Sequence, residues 1–264
     1  MRLAPVILAG VVWALVLNGC AAHDPLQPPK PEQPLIAFSY DDYGAVLAKV
    51  VTPDGYVRWD LLQTNDGEIR DRLVKFVGLI AAASPDNRPD LFVTHRDRWA
   101  YWINAHNALC MYWVMRHGYP AEVGPKMPDP FFVGGKAMSV DQIAAQLAEQ
   151  CRDPRIYFAL NFCAHSCPPL RTTPYDGAVL DAQLVDQGRV YLGDPRAVVR
   201  QGDAALVNDL LLKHVEEFAG HEATASSAGL LGALATLANE DSPLNGAKSL
   251  GKLGFDWSLN RPPR

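Results

Sequence analysis

The chain has 264 residues, 48% of them hydrophobic, and a formal net charge of −5 from 24 basic and 29 acidic residues. The two signs are interspersed, so the sequence lacks the basic face that a phosphate backbone requires, and nucleic acid is excluded as an expected partner. The length suffices for one large domain with a substantial core.

The first twenty residues predict export from the cytoplasm. Arg2 precedes an uninterrupted apolar run from Leu3 to Leu17, which is too short for a comfortable membrane span and typical of a secretory signal. The run ends at Asn18-Gly19-Cys20 and resembles a bacterial lipoprotein cleavage box. We therefore expect a signal peptide over 1–19 and a lipid on Cys20 that anchors a periplasm-facing domain, with sorting to the outer membrane. An ordinary cleaved signal or an uncleaved anchor would also export the chain.

Residues 20–35 are rich in proline and poor in hydrophobic residues, which indicates an extended tether between lipid and fold. We expect the folded domain over 36–264. Apart from Cys20 the cysteines are even in number, and disulfides persist in an oxidising compartment. They permit three pairings among Cys110, Cys151, Cys163 and Cys167.

The predicted elements are mostly helical. In chain order, apolar periodicity and turn signals predict helices over 40–51, 68–83 and 95–117, a hairpin over 131–140, a helix from Ser139 to Cys151, a buried strand over 155–162, and helices over 177–192, 204–219 and 227–239. A short extended segment over 56–59 follows a turn at 53–55. The fold class is therefore α+β, a mostly helical single domain with a small β-sheet and a central buried helix.

The helix over 95–117 is the candidate for that central position. Thr94 and Asp97 form an approximate capping box, and Gly118 with Pro120 closes the segment. Between Trp99 and Met115 the segment is apolar around nearly its whole circumference. Such a helix must be enclosed by the rest of the domain.

Two amides in this helix need partners. Asn104 and Asn107 lie three residues apart and share a face, with His106 about 100 degrees of rotation from Asn107. A buried asparagine left unpaired costs on the order of 1–3 kcal/mol. The pair therefore either braces neighbouring backbone or lines a polar pocket.

The stretch NFCAHSCPPL, residues 161–170, allows three interpretations. Cys167 could be a nucleophile, favoured if Pro168 begins a helix behind it, although the residues up to Pro174 leave room for barely one turn. Cys163 and Cys167 could form a disulfide, or both could be small buried hydrophobes. His165 is the local candidate for a general base. No metal and no cofactor is expected, because structural zinc sites commonly draw ligand pairs from separate segments. His214 lies on a polar helical face and receives no role.

Several ordered motifs resemble one family. The resemblance rests on YWINAHNAL (101–109), FFVGGKAMSVDQI (131–143), DPRIYFALNFCAHSCPPLR (153–171), PYD (174–176) and FDWSLN (255–260). Together they are similar to the family catalogued as domain of unknown function 547. The resemblance implies a single α+β domain, often exported in bacteria. It also implies that the helix motif, with Trp102, Asn104 and Asn107, meets the loop motif from Cys167 to Leu170 at one site.

The chain departs from the family pattern at positions that bear on mechanism. It has His106 where the family usually has Tyr, Ala144-Ala145 where a Glu-His pair is common, Tyr157 in place of a His, and Phe162 in place of a first cysteine. Proton transfer in this chain would therefore depend on His106 or His165.

Two hypotheses follow, and the sequence does not decide whether the chain is an enzyme. In the first, a cleft between helix 99–117 and loop 163–171 houses a cysteine-dependent hydrolase or transferase. Cys167 attacks, His165 or His106 accepts the proton, and the substrate is held by Trp102, Asn104, Asn107, Cys163 and Arg171. In the second, a non-catalytic envelope domain binds a small molecule or an envelope protein, and a Cys163–Cys167 disulfide is structural. A disulfide-exchanging redox protein is less favoured, because reactive pairs typically have two intervening residues.

Overall fold

The computed structural model describes residues 35–64, 67–219 and 227–263. The helices there are α1 (Asp41–Val50), α2 (Asp60–Gln63), α3 (Glu68–Ala82), α4 (His95–Arg116), α5 (Val140–Cys151), α6 (Leu180–Leu192), α7 (Asp209–Lys213), α8 (Val215–Ala219) and α9 (Ser227–Leu237). The strands are β1 (Phe131–Val133), β2 (Lys136–Met138), β3 (Val198–Gln201), β4 (Ala204–Asn208) and β5 (Ser249–Leu253). The predicted α+β, mostly helical class is confirmed.

The structure does not bear on the predictions made for the N-terminus. The signal peptide, Cys20 and the tether up to residue 34 lie outside the described residues. Within the described ranges, no helix combines the length and the apolar character needed to cross a membrane.

Helix α4 is the central helix that the sequence predicts. The Thr94 hydroxyl accepts the Asp97 N–H at 3.1 Å, and the Asp97 carboxylate accepts the Thr94 N–H at 2.8 Å. Gly118 ends the helix with a positive φ of 68°. From Ala100 to Met115 every side chain but that of Trp113 is buried. The helix packs against α3 and α5 and thereby positions the segments that follow them.

The sheets are small. Strands β1 and β2 form the predicted hairpin, which turns at Gly134 and Gly135. Strand β4 pairs antiparallel with β3 and parallel with β5. The predicted helix over 204–219 is therefore wrong in its first part. The backbone makes a two-residue turn at Gly202-Asp203, with φ of 57° at the glycine, and this turn pairs β3 with β4.

The predicted buried strand over 155–162 is also wrong. Residues 154–158 form a 3-10 helix, and the Asp153 carboxylate accepts the Arg155 N–H at 3.0 Å. An acceptor at the cap followed by proline at the first helical position is a helix start. Ile156 and Phe158 are buried, so the apolar run correctly indicates burial. The run does not by itself indicate an extended backbone.

The C-terminal segment lies between two parts of the chain that precede it by many residues. The Ser258 carbonyl accepts the His165 N–H at 2.7 Å, and the Cys163 carbonyl accepts the Asn260 N–H at 2.8 Å. On its other side the Leu259 N–H donates to Ala121 O at 2.8 Å. The terminal motif FDWSLN thus fixes the conformation of the loop that carries the cysteines.

Candidate functional site

Helix α4 contacts the start of the cysteine-containing loop through Asn107 and the segment that follows the loop through Asn104. Asn107 Nδ2 donates to Ala159 O at 2.8 Å, and its Oδ1 accepts the Asn161 N–H at 2.9 Å. Asn104 bonds both backbone groups of Tyr175, at 2.8 and 2.9 Å. Each amide is used to brace backbone rather than to line a pocket.

The predicted cleft between helix and loop is filled by side chains. The members of the predicted substrate-binding and catalytic sets on this interface have relative exposures of 3% or less: Trp102, Asn104, His106, Asn107, Cys163 and Cys167. A solvent-accessible substrate would have no contact with these groups in this packing.

The loop NFCAHSCPPL is a tight buried turn. Cys163 has a left-handed backbone with φ of 62°, and its N–H donates to Asn161 Oδ1 at 2.6 Å. Asn161 Nδ2 donates to Pro168 O at 2.6 Å and closes the turn from the other side. Residues 168–174 are not helical, so Cys167 does not lie at a helix N-terminus.

The four described cysteines are free, buried thiols. No pair of them lies at disulfide distance, and the expected Cys163–Cys167 staple is absent from this structure. Burial raises the pKa of Cys167 to about 11 and holds that of Cys163 well above its usual value. Hydrogen bonds from the N–H groups of Phe162 and Ala164 only partly oppose that effect at Cys167. Because the thiolate is the nucleophile, the raised pKa values disfavour the reactive form of both cysteines near neutral pH.

His106 is equally enclosed. Its ring packs edge-on against Phe162 at 4.6 Å, and its Nδ1 lies 3.0 Å from Asn107 Oδ1. Burial lowers the pKa of His106 to about 4, against a smaller opposing effect of the Asn107 hydrogen bond. The imidazole is therefore neutral near pH 7 and has no exposed surface.

Two predicted residues have partly exposed side chains. His165 lines a shallow cavity of about 560 Å³ together with Asp256 and Arg261, and its ring lies 5.8 Å from that of Tyr56. Arg171 forms an ion pair with Asp186 at 2.6 Å. The two therefore lie at the rim of the loop, while the thiols lie beneath it.

Sequence reasoning missed a second group of polar side chains, which surrounds a cavity of about 560 Å³. We call it the tyrosine cavity, and its wall consists of Ala148, Arg152, Asp153, Pro154, Ile156, Tyr157, Glu216 and Glu217. Tyr157 donates from its hydroxyl to Glu217 Oε1 at 3.2 Å, and His214 Nδ1 lies 3.1 Å from the same oxygen. The rings of His214 and Tyr157 stack at 3.5 Å. The i, i+3 spacing of His214 and Glu217 was the available signal.

The tyrosine cavity carries charges of both signs. Asp153 is paired with Arg155 at 2.5 Å, whereas Arg152 makes no ion pair with any described residue. Partial burial acts to raise the pKa of Glu217, but the hydrogen bonds that its carboxylate accepts, that from His214 first, outweigh it, so the pKa lies below its usual value. Burial raises the pKa of Tyr157 to about 12, and the hydroxyl remains a donor.

No metal site is evident in the ranges that the structure describes, where three or more His, Cys, Asp and Glu side chains are nowhere grouped to hold an ion.

Residues 92–192 match the family model described as "Protein of unknown function, DUF547". The match covers 101 of the 264 residues and confirms the resemblance to this family over that segment. Neither a curated protein nor a solved structure matched the chain.

The DUF547 segment runs from just before α4 to the end of α6. It contains the buried loop, Arg152 and Tyr157. Glu217 and His214 lie beyond the segment. The tyrosine cavity therefore joins the DUF547 segment to residues that its family model does not cover.

Proposed function

We propose that this chain is an exported envelope domain that binds a small ligand without catalysis, and that the ligand occupies the tyrosine cavity. The observation that carries the proposal is the convergence of Tyr157, Glu217 and Arg152 on one cavity. Concave sites with a few oriented polar groups are the usual location of small-molecule binding. The lipid anchor on Cys20 and a periplasm-facing, outer-membrane location belong to the same proposal.

The charged side chains that line the tyrosine cavity indicate which class of ligand it would bind. Glu217 is held in one orientation by two neighbours, and with Glu216 it places negative charge on one side of the cavity. Arg152 supplies a guanidinium suited to a carboxylate or phosphate. We therefore propose a ligand that carries both a protonated amine and an acid group, as an amino acid does.

The cysteine-dependent hydrolase or transferase receives less support from the same geometry. Cys167 is 1% exposed, and its raised pKa leaves little thiolate near neutral pH. His165 lies at the loop rim, and His106 is sealed in the core. A thiol mechanism would require the loop to break the hydrogen bonds that Asn161 and the C-terminal segment make with it.

Calorimetric titration of the signal-free domain tests the proposal, with lysine, glycine, putrescine and succinate as probes. We expect the amino acids to bind more tightly than the diamine or the diacid. Glu217→Gln and Arg152→Ala should each weaken amino-acid binding about tenfold, the loss of one charge-assisted hydrogen bond.

Glu149→Gln is the matched control, because Glu149 is an exposed carboxylate of α5 that does not line the cavity. It makes the same change in net charge as Glu217→Gln and should leave binding unchanged. Equal affinities of the two variants, or no binding of any probe, would refute the proposed site.

A further inference from the structure

The wall of the tyrosine cavity carries more negative charge than a simple amino acid can balance. It has one basic side chain, Arg152, and three acidic ones, Asp153, Glu216 and Glu217. Asp153 is neutralised by Arg155, whose guanidinium lies 2.5 Å from the carboxylate. Setting Arg152 against one glutamate leaves a single negative charge in excess. A ligand with one amine and one acid group is neutral overall and leaves that excess uncompensated.

The carboxylate of Glu216 is available to a ligand. It is exposed, lines the cavity, and forms no ion pair or hydrogen bond with any residue that the structure describes. Glu217 differs from it, because Glu217 Oε1 accepts from the Tyr157 hydroxyl at 3.2 Å and lies 3.1 Å from His214 Nδ1. The two neighbouring carboxylates are therefore not equivalent, since Glu217 is held in place by the fold and Glu216 is not.

The same wall also offers apolar surface. Ala148, Pro154 and Ile156 contribute it, and Ile156 is itself buried in the core. Methylene groups gain free energy when they leave water for a surface of this kind. Charged groups together with apolar surface match a ligand that carries its charged groups on a methylene stem.

The basic and acidic groups of the cavity come from different elements. Arg152 follows the end of α5, where its left-handed backbone, with φ of 50°, leads into the 3-10 helix over 154–158. Glu216 lies on α8. The two elements are packed together, because the ring of Phe218 on α8 lies 5.2 Å from that of Phe158. The fold therefore sets the separation between the backbone positions of Arg152 and Glu216.

We propose that the ligand of the tyrosine cavity is a diamino acid of the lysine type, and that Glu216 determines this specificity by binding the ammonium at the end of the stem. The inference rests on the proposed function, in which Glu217 and Arg152 bind the amine and the acid group of an amino acid. A ligand with two ammonium groups and one carboxylate carries the one net positive charge that balances the wall.

Calorimetric titration of the full chain with lysine and with norleucine tests the role of Glu216. Norleucine has the same six-carbon chain as lysine but no terminal ammonium. We expect lysine to bind about fivefold more tightly than norleucine, which is the size of effect that an ion pair at an exposed site produces. In Glu216→Gln the affinity for lysine should fall to that for norleucine, whereas the affinity for norleucine should not change.

Glu149→Gln is again the matched control, because Glu149 is an exposed carboxylate next to the wall residue Ala148 and does not itself line the cavity. This variant should keep the preference for lysine. Equal affinities for the two amino acids in the unchanged protein would overturn the inference and leave the proposed function standing. A preference that survives in Glu216→Gln, or a loss of norleucine binding there, would do the same. Binding of neither amino acid to the unchanged protein would refute the proposed function, and the inference with it.

Discussion

His106 is a basic side chain kept neutral by its surroundings, and this has a consequence for stability. Its pKa is about 4 in the folded protein, because burial disfavours the charged form, against an ordinary value of 6.5. Below pH 6.5 the His106 imidazole is protonated in the unfolded chain, whereas in the folded protein it stays neutral down to about pH 4. Stability from this group is therefore intact above pH 6.5 and falls by about 3 kcal/mol as the pH drops to 4.

His106→Gln should remove that part of the pH dependence. Glutamine can donate to Asn107 Oδ1 as the imidazole does, and it does not titrate. We expect the difference in unfolding free energy between pH 7 and pH 4.5, measured by urea denaturation, to be smaller in the variant. His95→Gln, at an exposed helix start, is the control and should keep the wild-type difference. An unchanged difference in His106→Gln would show that the imidazole is protonated within the fold.

Gly55 is a second single residue on which the loop depends. Its φ is 74°, and an added Cβ would lie 2.3 Å from Cβ of Pro169, in the loop that carries the cysteines. Gly55→Ala should destabilise the protein by about 3 kcal/mol, from the left-handed backbone and the overlap together.

Gly118→Ala is the matched comparison. Gly118 has a similar φ of 68° and no heavy atom within 4 Å of an added Cβ. Only the backbone cost, about 1 kcal/mol, should appear. Thermal or urea unfolding of both variants measures the difference, and equal losses would mean that Gly55 does not contact the loop.

At the scale of elements, the predictions that rested on a named cap or turn were correct. Thr94 with Asp97 begins α4, the helix predicted from Ser139 is capped by that residue, and the hairpin turns at Gly134-Gly135 with a permitted φ. Such signals act within a few residues and are visible in the sequence.

The elements that were missed depend on distant partners or on ambiguous patterns. The apolar run over 155–162 fits a strand and a buried 3-10 turn equally well. The 3-10 turn forms because Asp153 caps it and Pro154 is its first residue. Strand β4 is a strand because β3 and β5 flank it, and β5 comes from the far end of the chain. The Gly202-Asp203 turn was the local signal that could have revealed it.

At the candidate site, too, the features that depend on contacts between distant residues were the ones missed. The family resemblance implied that α4 meets the cysteine loop, but the burial of Cys167 depends on Asn161 and on the C-terminal segment. The spacing of His214 and Glu217 was the one local signal for the tyrosine cavity, because Tyr157 is sixty residues from Glu217 and meets it only through the packing of α8.

At the scale of the whole molecule, the burial of the free thiols bears on the envelope location that we propose. Cys110, Cys163 and Cys167 are enclosed in the core, each at 1% exposure or less, so the packing itself withholds them from oxidants. Buried thiols of high pKa react slowly even in an oxidising compartment. We therefore expect these thiols to stay reduced in the folded protein at the proposed location.

The central claim is that the cysteines are structural and that the ligand site lies elsewhere. Timed labelling of the non-reduced, signal-free domain with a thiol reagent near neutral pH, with the modified positions mapped by mass spectrometry, tests it most directly. We predict that Cys163 and Cys167 stay unlabelled in the native protein and label fully after denaturation without reductant. Rapid native labelling of Cys167 that is lost in Cys167→Ser, or a Cys163–Cys167 disulfide in the mass spectrum, would contradict it.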